Sequence, residues 1–348
     1  MDYAGLDYRN IRFPVNRALA ETERASRYDQ AQRGRAKPMD FFSVVRFNSN
    51  YMDLVDRWYP IKGFNAWLGA CVLTASIGLI FAMYGALFFS GRTAPMEAVD
   101  WVGVVGLTPL FLCLAWAGWW LIRTECGRYT HYPIRLDRKS RKVHFFRQNG
   151  TVLTVPWDTL FLTLGQSKSP LVGTTHDLRA HVLGEDGETV LESFSLGYTF
   201  PGNMESMDKF WAFLQPYMEA EDGIERTHQE LKQSLLMPVD GRREGWRWSI
   251  FRTFAPGLHY PWTMLLLCIP LGLNAVGRML AMSTSKIPQW PEEVERANPE
   301  QPDDPYRLTW RDNGPLGWWE LYWPLLCTVI GVGAFVGALG WIVSGLWR

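Results

Sequence analysis

The sequence predicts an α-helical polytopic membrane protein with four transmembrane helices and a cytoplasmic α+β domain rich in strand. Three observations predict it. Phe64–Phe89 is a run of 26 residues with no Asp, Glu, Lys, Arg or His. As a helix rising ~1.5 Å per residue it spans roughly 39 Å, enough to cross a ~30 Å hydrocarbon core with some tilt. Trp101–Ile122, Leu258–Ala281 and Leu321–Trp347 repeat the signal, and a polar stretch, 123–257, separates the second span from the third. The mean hydropathy of −0.11 averages over these opposites. Most of the 18 tryptophans fall at or beside the spans, the distribution of an aromatic belt at a lipid–water interface.

Residues 1–63 form a polar N-terminal segment with eleven Lys and Arg. Pro14–Ala36 reads as a solvated helix with a thin apolar face, and Asp40–Phe47 as a strand or a membrane-surface stretch. MDYAGLDYRNIRF lacks the apolar core of a signal peptide, so the first span is expected to act as an uncleaved anchor. Ser90–Asp100 is too short to do more than join two spans, so 64–122 is a transmembrane hairpin, with Pro109 a kink in its second helix.

The central domain, 123–257, shows alternating apolar runs broken by turn residues. Ile134–Leu136, the turn Asp137–Ser140 and Lys142–Arg147 make a hairpin. Asn149-Gly150 then supplies the positive φ of a second tight turn before Thr151–Val155. Leu160–Leu164, Leu178–Leu183 and, after Glu185-Asp186-Gly187, Thr189–Leu196 continue the series. The period then changes: Asn203–Met218 sets Met207, Phe210, Trp211 and Leu214 on one helical face, and a second helix covers 224–236. Strands closed by an amphipathic helix resemble a pleckstrin-homology-type barrel, an analogy of fold that carries no ligand with it.

Charge sets the expected orientation. The N-terminal segment is basic and Arg123 and Arg128 follow the second span, whereas the connector 282–316 holds four basic residues against seven acids. The positive-inside rule places both termini and the 123–257 domain in the cytoplasm. Residues 258–348 then form a second transmembrane pair whose acidic, proline-rich loop faces outward.

Little of the chain suggests reaction chemistry. The six histidines form no HExxH pattern, and the five cysteines have no metal-ligand spacing. Ser283–Lys286 matches SxxK without its companion motifs, and neither GxSxG nor a phosphate-binding glycine loop occurs. No enzyme activity, cofactor or metal is expected, and the balance of 35 basic and 35 acidic residues gives no reason to expect nucleic acid. What remains is surface. In the connector, Trp290, Glu292, Glu293, Tyr306 and Trp310 set aromatic rings among acids, which suits either protein recognition or packing on the membrane. Around the first hairpin turn, Arg135, Arg138, Lys139, Arg141 and Lys142 make a basic cluster that is a solvated turn or, at Arg138, Lys139, Arg141 and Lys142 above all, a contact for anionic headgroups or a partner. Arg278, with Asn274 in the third span, is expected to snorkel to the outer interface. In the fourth span, Gly333xxxGly337 allows close helix approach, within the chain or between two copies.

The run Tyr132-Pro-Ile-Arg-Leu-Asp-Arg-Lys-Ser-Arg-Lys-Val-His-Phe-Phe-Arg147, with Asn149-Gly150 and Val155-Pro156-Trp157-Asp158, resembles an uncharacterised family of proteobacterial membrane proteins associated with type VI secretion clusters. The resemblance covers roughly residues 40–260 and brings no catalytic residues with it. It implies an immunity protein that binds and neutralises a cognate secreted toxin. The alternative is a membrane scaffold or adaptor that anchors or loads such an effector.

Overall fold

The computed structural model describes residues 13–89, 97–169, 173–202 and 204–346. Residues 1–12, most of the expected Ser90–Asp100 connector, Asn203 and Trp347 lie outside them. The chain divides into two compact units. One comprises Met1–Pro60, Tyr129–Glu244 and Lys286–Pro315; the other comprises Ile61–Arg128, Gly245–Ser285 and Leu316–Arg348.

The first unit is β-rich. Its larger sheet has six antiparallel strands in the order β10-β2-β3-β4-β5-β6: β2 Val44–Phe47, β3 Tyr51–Leu54, β4 Ile134–Asp137, β5 Lys142–Phe146, β6 Val152–Pro156 and β10 Leu308–Thr309. The smaller sheet runs β1-β9-β8-β7, with β1 Arg17–Ala18, β7 Leu160–Ser169, β8 Gly173–Leu183 and β9 Thr189–Pro201. Helix α5 (Glu205–Glu219) buries Met207, Phe210, Trp211 and Leu214, the face its periodicity predicts. Phe210 lies against Gly197, where a Cβ would come within 2.6 Å of the ring and φ is +87°, so glycine serves both the register shift within β9 and the contact. Helix α6 (Gly223–Leu231) follows.

Alternation explains the large sheet. Met52, Leu136, Val143 and Val155 stand opposite one another in register, and with Leu54 and Ile134 they fill one buried face. Gly150 and Gly187 take the positive φ their turns require. The hairpin 64–125 is an insertion between β3 and β4, which pair across it from Tyr51↔Asp137 to Leu54↔Ile134.

Three expectations are corrected here. Pro14–Ala36 is not one helix: only α1 (Glu21–Ala25) is helical, because β1 pairs with β9 and the Tyr28 N–H bonds Leu162 O on β7. Residues 17–28 therefore cover the small sheet, and within 40–47 the strand is β2, Val44–Phe47. The connector 282–316 is not a separate outward loop. Its strand β10 pairs with β2, so residues 286–315 belong to the same folded unit as 129–244. The domain boundaries 1–63, 123–257 and 282–316 give way to that single unit.

The second unit is helical. Helix α2 (Phe64–Phe89) runs antiparallel to the rod formed by α3 (Ala98–Val102), a π turn at Gly103–Leu107, and α4 (Thr108–Glu125). Close backbone approach is possible because Gly69 faces Gly118, where an added Cβ would sit 2.5 Å from the Gly118 carbonyl oxygen. At the end of this hairpin the Glu125 carboxylate accepts the N–H groups of Gly63 at 2.9 Å and Ala66 at 3.0 Å, satisfying orphan donors of α2's first turn. Helices α7 (Trp246–Phe254), α8 (Pro261–Leu266) and α9 (Cys268–Thr284) follow, then α11 (Trp323–Leu346) after a π turn at Trp318–Tyr322. Among the described residues three stretches are long and apolar enough to cross a membrane: Tyr59–Phe88, Ala98–Glu125 and Trp318–Ile342. Leu258–Ala281 is not a continuous helix, since it breaks at Tyr260 and again at Leu267. Arg278 does not snorkel: it is fully buried, its Nη1 donates to Lys62 O at 3.5 Å, and its backbone packs on Gly63.

A candidate binding site built on a strapped polar row

The second face of the large sheet is polar, and its centre is buried: Asp53, Arg135, His144 and Thr309 are covered, Arg46 is partly so, and Thr154 at the edge is exposed. Thr309, Arg46, Asp53, Arg135, His144 and Thr154 stand in register across all six strands. Asp53 is the hub. Arg135 Nε and Nη2 donate to its two oxygens at 2.7 and 2.9 Å, and Arg46 Nη2 donates at 3.0 Å. Arg135 is 1% exposed and lies over the Tyr51 ring at 3.9 Å. Burial works to raise the Asp53 carboxyl, but the two guanidiniums outweigh it and hold the group below its ordinary value. Burial pushes His144 down, with Asp137 opposing.

The connector covers this row as a strap. Its Lys286 carbonyl accepts the Thr130 N–H at 2.8 Å. Trp290 stacks on Arg135 at 4.9 Å and meets the rings of His144 and Phe146. Helix α10 (Glu292–Ala297) then brings Glu295 to Arg135 at 3.0 Å and to Arg46 at 3.5 Å. Asn298 Nδ2 donates to Asp137 at 2.5 Å, and Asp304 accepts from the backbone and hydroxyl of Ser49, each at 2.7 Å. Beneath the strap, Arg135 Nη1, Tyr51 Oη and His144 Nε2 are buried and have no hydrogen-bond partner among the described residues.

The residues singled out from sequence divide accordingly. Trp290, Tyr306 and Trp310 use their rings inside the protein: Tyr306 against His228, and Trp310 under Arg242 and Arg311. Glu292 and Glu293 are exposed, and Glu292 pairs with Arg296 one turn on. In the basic turn, Arg138 donates to the carbonyls of Tyr217 and, at 2.6 Å, Ala220, terminating α5. Arg141 pairs with Asp158 and with Glu219 at 2.8 Å. Only Lys139 and Lys142 remain exposed, so the headgroup reading narrows to those two. Sequence reasoning passed over Arg46, Asp53 and Glu295, and placed Arg135 only in the basic cluster of the first hairpin turn, whereas it is buried on Asp53. The signal for the three strand residues was a polar residue at every second position of strands whose alternate face is apolar; Glu295, on α10, had none.

A second cluster ties the N-terminal segment to the small sheet. Glu23 is gripped by Arg17, at 2.5 and 2.8 Å, and lies 3.3 Å from His181 Nε2, while His181 Nδ1 meets Ser193 Oγ at 2.6 Å. Burial pushes the Glu23 carboxyl up, but Arg17, the Ala20 N–H and His181 bring it down to about 2. Burial lowers His181 to about 4 against the pull of Glu23. A fully buried, weakly basic imidazole with its carboxylate clamped by arginine acts as a latch between β8, β9 and α1. Among the described residues no group of three or more His, Cys, Asp or Glu could hold a metal ion.

No curated protein and no solved structure matches the chain. A family model described as a family of unknown function matches residues 111–302, more than half of the sequence. The match runs from α4 through every strand from β4 to β9 and into the strap as far as α10, and so contains Arg135, His144, Trp290 and Glu295. On that match the chain belongs to the DUF6708 family.

Proposed function

We propose that this is a bacterial inner-membrane binding protein that neutralises a cognate type VI secretion toxin, with its β-rich unit in the cytoplasm. The observation that carries the reading is the pinned strap. Ion pairs and hydrogen bonds fix the acidic connector on the sheet and turn its aromatic rings inward. Glu292 and Glu293 are left on a preorganised surface. A surface ordered before binding loses little entropy on association, and fixed negative charge steers a positively charged partner. The partner this surface fits is therefore a basic face of the secreted protein. The order of strands, two successive antiparallel meanders closed by α5, supports the analogy to a pleckstrin-homology-type barrel.

The test is survival of a deletion strain challenged by its secretion-competent parent. Rescue by the wild-type chain, and loss of rescue with Glu292→Lys/Glu293→Lys at normal expression, is the expected result. Normal survival of the deletion strain, with loss of killing when the attacker lacks the protein, would replace neutralisation by the adaptor role. Full rescue by the double variant would remove the strap as the contact surface.

A further inference from the structure

We infer that residues 245–285 form a re-entrant helical hairpin, so that the chain crosses the membrane three times and the end of α11 lies on the side opposite the β-rich unit. The reasoning begins with chain continuity. Glu244 and Lys286 belong to one folded unit, so the segment between them must return to the side it left. A single crossing by 258–281 cannot do this.

Packing within the helical unit shows the path. Helix α9 runs antiparallel to α11: Gly272 packs on Thr328, and Gly331 packs on the carbonyl of Cys268. From Cys268 the helix climbs until Gly277 meets Gly63, and Thr284 Oγ1 accepts the N–H of Gly127 at 3.3 Å. Gly63 and Gly127 bound the hairpin at the end capped by Glu125, so α9 finishes at that end. The other arm also returns there. Trp323, near the start of α11, donates its indole N–H to Pro261 O at 2.9 Å and meets the Trp262 ring at 5.8 Å. Pro261 is therefore level with Trp323, whereas Cys268 is level with Gly331, two turns deeper. The chain reverses between them, at Leu267.

The tip of this reversal is apolar and uncovered: Leu266 is 83% exposed and Leu267 53%. A tip reaching only to Gly331, near the middle of Trp318–Leu346, ends inside the hydrocarbon, where exposed leucines are stable. Beyond it, Gly333, Gly337 and Gly340 have nothing within 4 Å of an added Cβ, as expected if α11 continues alone past the tip.

The experiment uses full-length protein in its native membrane, with a short epitope inserted after Lys139, after Asp303 or after Arg348, each in a separate variant. Antibody access is read in intact spheroplasts and after permeabilisation. The expected result is that the epitopes at 139 and 303 behave alike and the epitope after 348 behaves oppositely. All three behaving alike, or 139 and 303 differing, would overturn the inference. A glycosylatable or alkaline-phosphatase fusion after Arg348 gives a second readout that does not depend on epitope folding. Neither readout depends on what the protein binds, so a negative survival test leaves this result standing.

Discussion

Replacing Asp53 with alanine removes the hub of the polar row and leaves two guanidiniums facing each other, one of them 1% exposed. Breaking a buried ion pair from one side costs about 3–5 kcal/mol, because the remaining charge is neither solvated nor paired. Glu295 reaches both arginines, at 3.0 and 3.5 Å, but is itself 42% exposed and replaces only part of the lost field, so the lower half of that range applies. For a unit of about 200 residues, ~3 kcal/mol corresponds to a drop in melting temperature of roughly 6–12 °C. Pulse proteolysis in urea, on protein in detergent, reads the stability of the β-rich unit without requiring the whole chain to unfold in one step. Asp53→Leu combined with Arg135→Met should recover much of the loss, since an apolar pair of similar volume leaves no stranded charge. The carboxyl is held below its ordinary value of 3.8, so its contribution is complete above that pH and disappears as the pH falls through the lower folded value. A loss under ~1 kcal/mol for Asp53→Ala, or a double variant worse than the single one, would refute the account of the row as a mutually dependent network.

Three further outcomes follow from the geometry. His181 titrates at about 4 when folded against an ordinary value of 6.5, so stability is complete above pH 6.5 and falls by up to about 1.4 kcal/mol per unit down to pH 4; the same slope in His181→Gln would contradict the latch. Gly331→Ala, whose Cβ would fall 1.9 Å from Cys268 O, should lower stability in detergent by more than ~2 kcal/mol, whereas Gly337→Ala, with open space, should stay within ~0.5 kcal/mol. Equal effects in thermal size-exclusion assays would place the helix contact elsewhere. Arg138→Ala removes a side-chain donor from the carbonyls of Tyr217 and Ala220, the latter keeping the Gly223 N–H, and should cost about 1–2 kcal/mol, against ~0.5 or less for Lys139→Ala; vesicle binding lost with Lys139→Ala/Lys142→Ala but kept in Arg138→Ala would assign the turn to lipid as well.

Local signals were the legible ones. Twenty-six uncharged residues can hardly be anything but α2, Asn149-Gly150 had to turn, and the 3.6 period of α5 named its buried face before any coordinates existed. Pairings between distant segments were not legible. Nothing near Val44–Phe47 says that its partners are Tyr51–Leu54 on one side and Leu308–Thr309 on the other. The connector misled for a physical reason: acids and prolines between apolar runs look solvated when read singly, and only the register of Arg46 with Arg135 through Asp53 gives Glu295 a buried counter-charge. The span 258–281 misled because hydropathy counts apolar residues and is blind to the helix breaks at Tyr260 and Leu267.

The insertion of the hairpin between β3 and β4 imposes an order on biogenesis. Leu54 and its partner Ile134 are separated by about 80 residues of nascent chain, a separation that makes the pairing slow if the intervening chain is loose. Insertion changes the arithmetic. Once α2 and α4 pack and Glu125 caps Gly63, the ends of that long loop are held together, and the loop left to close between β3 and β4 shrinks to residues 55–62 and 126–133. A chain that fails to enter the bilayer keeps the open edge of β3, and β2 waits for an edge strand that is synthesised only at Leu308. Unpaired edges of this kind invite aggregation and proteolysis. Folding of the β-rich unit is thereby made conditional on assembly of the helical hairpin, and chains in which the hairpin has not formed carry their own signal for removal.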